Sequence, residues 1–175
     1  GAANTTFFNI GTILTTGSNA HGVDVSSENS VVNNSGTIRV TGSDAYGIRI
    51  NTAAFNGIDI TNSGLIHATG ANSYAIFDDA GGAAANNTTL HLLTGSRIIG
   101  RIDLGDGTDT VNISGRNIST TLSLVNTETI NLINVPGVVV GTTVTTVDPT
   151  GQSVKATVLN SLCSGLHGVV NKRLN

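Results

Sequence analysis

The sequence predicts an all-β fold, a right-handed parallel β-helix in which each coil contributes three short strands, followed by a C-terminal α-helical linker. Three observations support this prediction. The composition is rich in β-branched and turn-forming residues. A stretch of about 25 residues repeats without gaps. Inside each repeat, apolar and polar residues alternate, which is the pattern of a strand with one buried face.

The composition indicates many short strands and few aromatic residues. Only 11% of the 175 residues are charged and 3% are aromatic, whereas 22 are glycine. The formal net charge of −3 gives no electrostatic footprint for nucleic acid. No apolar run approaches the roughly 20 residues of a membrane-spanning helix. Cys163 is the single cysteine and excludes an internal disulfide. With no signal peptide and no methionine, we expect the chain to be a piece of a longer protein.

Three segments align without gaps and predict which residues stack. They are 9–25, 34–50 and 62–78, and their starts lie 25 and then 28 residues apart. Such a period is the signature of a solenoid. The aligned positions form six columns of identical or similar residues: Asn9/Asn34/Asn62, Gly11/Gly36/Gly64, Ile13/Ile38/Ile66, Thr16/Thr41/Thr69, Gly17/Gly42/Gly70 and Val23/Ile48/Ile76.

The alternation within a repeat predicts which side chains face the interior. Successive side chains on a strand point to opposite faces. We therefore expect Ile38, Ile48 and Ile50 to point inward, and Arg39 and Arg49 to point to water. Successive coils lie about 4.8 Å apart, so equivalent positions stack. The asparagine column can then form a ladder of side-chain amides. The alternative is that these asparagines are ordinary turn residues.

The strict repeat ends after Phe77. The segment 78–87 predicts a loop, because it is made of small residues, glycine, aspartate and asparagine. The first coil looks uncapped, which predicts that further coils precede it. Beyond the loop we expect strands that bring the total to five or six coils, at 88–92, 97–99, 101–104, 110–113, 122–124 and 129–133.

The character of the sequence changes towards the C-terminus. We divide the chain into β-helix coils over 1–134, a linker or strand end over 135–150, and an amphipathic helix over 151–175. Asp148 suits the N-cap of that helix and Pro149 its first position. Apolar residues then recur every three or four positions, the spacing of a helical stripe.

Several of these motifs resemble one family of bacterial proteins. The repeat that begins Asn34-Ser-Gly-Thr-Ile and continues Ala45-Tyr-Gly-Ile resembles the β-helical passengers of type Va autotransporters of Gram-negative bacteria. The segment 95–113 is similar to their last coils. The run Val147-Asp-Pro-Thr150, followed by a helix, is similar to the linker before the translocator barrel. The resemblance covers essentially the whole chain and identifies it as the C-terminal part of a passenger plus this linker.

The resemblance implies a location and partners. It implies export through the inner membrane and then through an outer-membrane β-barrel, which is the chain's own partner in the full-length protein. The passenger would be extracellular or at the bacterial surface, tethered to the outer membrane or released. Some members cleave themselves between paired asparagines in the linker helix. Here that helix has only the isolated Asn160 and Asn171, so this activity is not carried over.

The sequence assigns no metal-binding or cofactor-binding residue. The run Gly105–Val111 nearly fits the calcium-binding nonapeptide repeat, but Leu104 replaces its first glycine and the motif occurs once. Calcium needs six to eight oxygens, so a plain β-turn is the favoured interpretation. The chain has four histidines, His21, His67, His91 and His167. No two of them are spaced as metal ligands on a helix would be, and none belongs to a known metal-binding motif. His67 falls in an outward column of the repeat.

The sequence assigns no catalytic residue either, and we expect no enzyme activity. Carbohydrate-active β-helices place acidic and basic groups together on one outer face. Here the acids at regular repeat positions are Asp24, Asp44, Asp59 and Asp78, and they occupy different columns. Glu28 and Glu128 are the only glutamates. Cys163 is better explained as a small apolar residue of the helix than as a nucleophile.

Three functions are compatible with the sequence. The favoured one is a secreted passenger for adhesion and host interaction, a virulence factor whose surface binds a host receptor, a matrix component or another bacterium. The second is a spacer and folding module without a ligand of its own. The third, less favoured, is a carbohydrate-active enzyme. An adhesin needs an exposed apolar or charged cluster, and a spacer does not. The sequence predicts neither the binding target nor the oligomeric state.

Overall fold

The structure is a computed structural model that describes residues 4–51, 56–79, 86–115, 118 and 120–148. These residues form strands joined by turns, with no helix among them. The strands are β1 (Thr6–Asn9), β2 (Thr12–Thr15), β3 (Val23–Val25), β4 (Val31–Asn34), β5 (Thr37–Val40), β6 (Tyr46–Ile50), β7 (Asn56–Asn62), β8 (Leu65–Ala68), β9 (Tyr74–Asp78), β10 (Asn87–Leu92), β11 (Arg97–Ile99), β12 (Arg101–Asp103), β13 (Thr110–Ser114), β14 (Thr120–Val125), β15 (Thr129–Ile133), β16 (Gly137–Val140) and β17 (Thr143–Thr146).

The strands form three sheets that run along a β-solenoid. Sheet A has the order β1-β4-β7-β10-β13-β15, and sheet B has the order β2-β5-β8-β11. Sheet C has the order β3-β6-β9-β12-β14-β17-β16. Each of the first four coils places one strand in every sheet, and all these strands pair in parallel. The predicted all-β parallel solenoid is confirmed.

The number of complete coils is smaller than the five or six expected. Among the described residues, the solenoid has about four complete coils, β1–β3, β4–β6, β7–β9 and β10–β12, which we call coils 1 to 4. β13 and β14 form a further turn without a described strand in sheet B. After β16 the chain reverses, because β17 pairs antiparallel with β16 and, on its other side, antiparallel with β14. A reversed strand cannot start another parallel coil.

The columns predicted from the alignment are present as strand partners. Asn9 pairs with Asn34 and Asn34 with Asn62, and the same holds for the Ile13/Ile38/Ile66 and Val23/Ile48/Ile76 columns. The asparagine ladder is confirmed, since buried side-chain amides join Asn9 to Asn34 and Asn34 to Asn62 at 2.7 Å each. These bonds fix the stagger between coils.

One glycine column marks a corner where coils touch backbone to backbone. A Cβ atom on Gly36 would lie 2.1 Å from the carbonyl oxygen of Gly11. A Cβ atom on Gly64 would lie 2.1 Å from the carbonyl oxygen of Gly36. A side chain at Gly36 or Gly64 would force the coils apart, which explains the glycine at these two positions.

The interior is filled by aliphatic side chains from all three sheets. Ile38, Ile48 and Ile50 are fully buried, while Arg39 is exposed and Arg49 is half-exposed, as the alternation predicts. The same core continues through the leucines and isoleucines of β10 to β14. Burial of this continuous apolar column is the main stabilising contribution.

The C-terminal segment is only partly described. The hairpin β16–β17 occupies most of the segment 135–150 that the sequence analysis assigned to a linker or strand end, and there it belongs to sheet C. The expected helix over 151–175, with Cys163, lies outside the described residues. The expected loop 78–87 has its ends in β9 and β10, and residues 80–85 are likewise outside. No helix in the described ranges is long and apolar enough to cross a membrane.

Candidate binding surface

The outer face of sheet C carries a line of aromatic side chains from coils 1 to 3, which continues with an arginine of coil 4. Tyr46 of coil 2 pairs with Tyr74 of coil 3, and Tyr74 pairs with Arg101 of coil 4. His21 of coil 1 stacks on Tyr46, and Phe77 comes from a neighbouring column of β9. We call these five residues the aromatic ladder.

The rings of the aromatic ladder are in direct contact. His21 and Tyr46 are stacked, with centroids 4.8 Å apart and an interplanar angle of 15°. Phe77 lies 4.6 Å from Tyr46 and 4.6 Å from Tyr74. The Arg101 guanidinium lies over the Tyr74 ring, 4.2 Å from its centroid, in cation–π geometry. The contacts make the ladder one continuous surface feature.

The aromatic ladder is partly open to solvent. Its four rings are half-buried and Arg101 is exposed. The chain has two tyrosines and four phenylalanines, so both tyrosines and one phenylalanine are concentrated here. The core itself is aliphatic and does not need them. Rings that are placed outside a sufficient core are available for contacts with another molecule.

Charged groups flank the aromatic ladder. The Arg49 side chain donates to the Asp79 carboxylate through Nε at 2.9 Å and lies 3.4 Å from the Asp24 carboxylate. Among the described residues, Arg101 forms no ion pair with a carboxylate. The outer face of sheet C therefore presents aromatic, acidic and basic groups side by side.

His21 is held neutral in this surface. The backbone N–H of Tyr46 donates to Nδ1 of His21 at 3.1 Å, so that nitrogen must be free of a proton. Burial, and secondly the nearby Arg49, lower the pKa of His21. Burial also raises the pKa of Tyr46, so its hydroxyl stays protonated at neutral pH.

The other histidines are separated from one another. His67 lies in the outward column of sheet B beside Arg39, as expected; burial, and then Arg39 and Arg97, lower its pKa. His91 lies on sheet A with Nε2 3.8 Å from the Asp59 carboxylate, where both side chains are about one-third exposed or more. His167 is outside the described residues. Within the described ranges, no three His, Cys, Asp or Glu side chains are placed to hold a metal ion.

The calcium-like segment 105–111 contains one buried carboxyl group. Asp109 is fully buried, and its Oδ1 accepts a hydrogen bond of 2.7 Å from the backbone N–H of Thr88. Its own N–H donates to Oε2 of Glu128 at 2.6 Å. Oδ2 of Asp109 has no hydrogen-bond partner among the described residues. Burial raises the pKa of Asp109 to about 7, and Glu128, Asp78 and Asp103 add to the increase.

The acids of the regular repeat positions do not converge. Asp24 faces Arg49, and Asp78 is buried and accepts hydrogen bonds from the side-chain amide of Asn86 at 3.0 and 2.9 Å. Asp44 accepts from Asn72 at a corner, and Asp59 is on sheet A. The aromatic ladder was not predicted as a site, although the alignment itself places His21, Tyr46 and Tyr74 at one position.

The fold defines a parallel β-solenoid with an aromatic and charged strip on one sheet. Comparison with protein-family models, with curated proteins and with solved structures finds no match for this chain. Its function must therefore be argued from the fold and this surface.

Proposed function

We propose that this chain is a segment of the secreted passenger of a Gram-negative type Va autotransporter that acts in adhesion and host interaction at the bacterial surface. A solenoid suits an exported chain, because each coil stacks only on its neighbours and can fold progressively. The repeat, the core without an internal disulfide and the order of the C-terminal motifs support the family assignment. The right hand of the helix, the linker helix over 151–175 and the translocator barrel as partner belong to the same proposal.

The observation that carries the binding role is the aromatic ladder. A ligand-free spacer needs only an aliphatic core and a polar exterior, whereas this chain keeps both of its tyrosines on an outer face beside charged groups. Tyrosine and arginine are the residue types that recognition surfaces use most, since each combines apolar area with hydrogen-bonding capacity. The proposed partner is a host cell-surface receptor or a component of the extracellular matrix, and the chain acts without catalysis.

The adhesion proposal is tested with beads that carry the full 175-residue chain. The beads should adhere to cultured epithelial cells or to immobilised matrix components. A double variant, Tyr46→Ala with Tyr74→Ala, should lose most of this adhesion. The matched control is Phe8→Ala, because Phe8 is an aromatic residue 68% exposed on β1 and away from the ladder. If wild type does not adhere, the chain is a spacer instead. If wild type and the double variant adhere equally well, the binding role proposed for the aromatic ladder is wrong.

The secretion proposal has a separate test. The chain is fused in place of the passenger of an autotransporter with an established barrel and expressed in a Gram-negative host. It should reach the cell surface, where antibody binding to intact cells and sensitivity to added protease report it. Retention in the periplasm, with the barrel itself assembled, would contradict the proposal.

A further inference from the structure

We propose that the aromatic ladder binds a linear, uncharged polysaccharide that lies along the solenoid axis with one sugar unit on each coil. This inference rests on the proposed binding function and specifies the chemical class of the partner. It combines the chemistry of the ladder, its spacing and the distribution of charge around it.

The chemistry of the surface matches that of a sugar. A pyranose ring has an apolar side of C–H groups and a rim of hydroxyls. Tyr46, Tyr74 and Phe77 offer half-exposed ring carbons for the apolar side. Carboxylates accept hydrogen bonds and guanidinium groups donate them, so Asp79 and Arg49 can serve vicinal hydroxyls. The hydroxyl groups of Tyr46 and Tyr74 make no hydrogen bond to another described residue, which leaves them available to a ligand.

The spacing of the surface matches an extended chain. Strand partners in neighbouring coils lie about 4.8 Å apart, which is close to the length of one pyranose unit in an extended polysaccharide. The aromatic ladder supplies one level of groups per coil: His21, then Tyr46, then Tyr74 with Phe77, then Arg101. A repeating ligand can therefore meet a ring or a guanidinium group on each of four successive coils. A globular protein partner has no such repeat.

The charge distribution favours an uncharged ligand. Beside the rings lie Asp24 and Asp103 of sheet C and Asp79, which directly follows β9, against Arg49 and Arg101, and His21 is neutral. Three acids against two bases leave a small excess of negative charge, which repels a polyanion. The remaining arginines of the described strands, Arg39 and Arg97, are on sheet B.

The test is isothermal titration calorimetry, which measures the affinity of the full chain for neutral oligosaccharides of increasing length. The oligosaccharides are gluco-, manno- and galacto-oligosaccharides. We expect at least one series to bind, with an affinity that rises with length and levels off at four units, the number of coils in the ladder. The Tyr46→Ala/Tyr74→Ala variant should bind about tenfold more weakly or worse. Phe8→Ala should bind like wild type.

A second variant guards against loss of structure. Tyr46→Phe/Tyr74→Phe keeps the rings and their stacking but removes both hydroxyls. It should melt like wild type and still lose affinity by about threefold to tenfold, because a neutral hydrogen bond contributes on the order of 1 kcal/mol. Unchanged affinity in both tyrosine variants would show that the sugar binds elsewhere and would overturn the inference.

Two further outcomes separate this inference from the proposed function. If no neutral oligosaccharide binds, or if heparin or polygalacturonate binds in preference, the inference is overturned. The bead assay is then repeated on cells whose glycans have been oxidised with periodate. Adhesion that survives oxidation and still requires Tyr46 and Tyr74 identifies a protein partner and leaves the proposed function intact. Absence of adhesion to untreated cells means that the proposed function fails as well.

Discussion

The side-chain amide of Asn34 donates a hydrogen bond of 2.7 Å to the side-chain carbonyl oxygen of Asn62, at the equivalent position one coil further on. Asn34 in turn accepts a bond of the same length from Asn9. All three side chains are buried. Each amide can satisfy its partner only if the coils are in one register, so the ladder selects that register over a slip by one residue.

The asparagine ladder is expected to contribute measurably to stability. Asn34→Ala removes one donor and one acceptor and leaves the carbonyl oxygen of Asn62 buried without this partner. We expect the free energy of unfolding to fall by about 2 kcal/mol. The control is Asn33→Ala, which changes the half-buried neighbour on the outward side of the strand and should cost less than about 0.5 kcal/mol. Urea denaturation followed by circular dichroism measures both, and equal losses would show that the ladder contributes nothing specific.

The alternation of β5 gives a sharper contrast between neighbours. Ile38 is 0% exposed, whereas Arg39 is exposed. Ile38→Asp places a carboxylate without a partner in the aliphatic core and should cost several kcal/mol, enough to unfold this part of the solenoid. Arg39→Asp should change the free energy of unfolding by less than about 0.5 kcal/mol. Thermal melts of the two variants decide, and matching melting temperatures would mean that the register is wrong by one residue.

Asp109 is expected to make stability depend on pH. Its pKa rises from 3.8 in the unfolded chain to about 7 in the fold. Below about pH 4 the group is protonated in both states and costs nothing. Between about pH 4 and 7 only the unfolded chain releases the proton, so the free energy of unfolding falls as pH rises, by up to about 4 kcal/mol, and is constant above.

A variant isolates this contribution from that of the other acids. Asp109→Asn keeps an oxygen that can accept from Thr88 but cannot ionise. Chemical denaturation of wild type and variant at several pH values between about 4 and 8 gives two curves. Their difference should follow a single titration, with wild type losing stability relative to the variant as pH rises. Parallel curves would show that Asp109 ionises in the folded protein as it does in the unfolded chain.

The hairpin at the end of sheet C is expected to be structural. Val144 of β17 is 0% exposed, and Val140 of β16 is 69% exposed. Val144→Asp should destabilise the C-terminal coils by several kcal/mol, while Val140→Asp should be nearly neutral. Amide hydrogen exchange measures whether the loss of stability is confined to the C-terminal coils. Amides of β13 and β14 should exchange faster in Val144→Asp and at the wild-type rate in Val140→Asp. Exchange that is unaffected by Val144→Asp would mean that the hairpin is only loosely attached.

The inward columns could be predicted because residues that stack on one another in successive coils recur at a regular spacing in the sequence. Each coil places the same residue type against its neighbour, so Ile38 and Ile66 reveal their contact through the spacing of the repeat alone. The hairpin could not be predicted in this way. Val139 and Val144 pair in an antiparallel hairpin that occurs once, within the segment 135–150 that was expected to be a linker or strand end. A contact without repetition leaves no period to detect.

The sequence alignment reveals only part of the candidate surface. The alignment aligns Tyr46 with Tyr74, but Phe77 joins them from another column, because its ring leans across the face of sheet C. Arg101 belongs to coil 4, in which the single residue Gly100 joins β11 to β12. This coil is not part of the gapless alignment, so the alignment does not place Arg101 next to Tyr74. The burial of Asp109 was equally hidden, since it depends on how β13 lies over β10 rather than on neighbours in the chain.

The outward column of sheet B contains Leu14, Arg39, His67 and Ile99, four side chains with little in common at one backbone position. Its geometry is therefore set by the strands and not by what the column carries. With Cys163 replaced by serine, pairs of cysteines introduced into this column would hold attached spin labels or dyes at multiples of about 4.8 Å. The solenoid can therefore serve as a molecular scaffold on which the separation of two labels is chosen, one coil at a time, by the positions of the two cysteines.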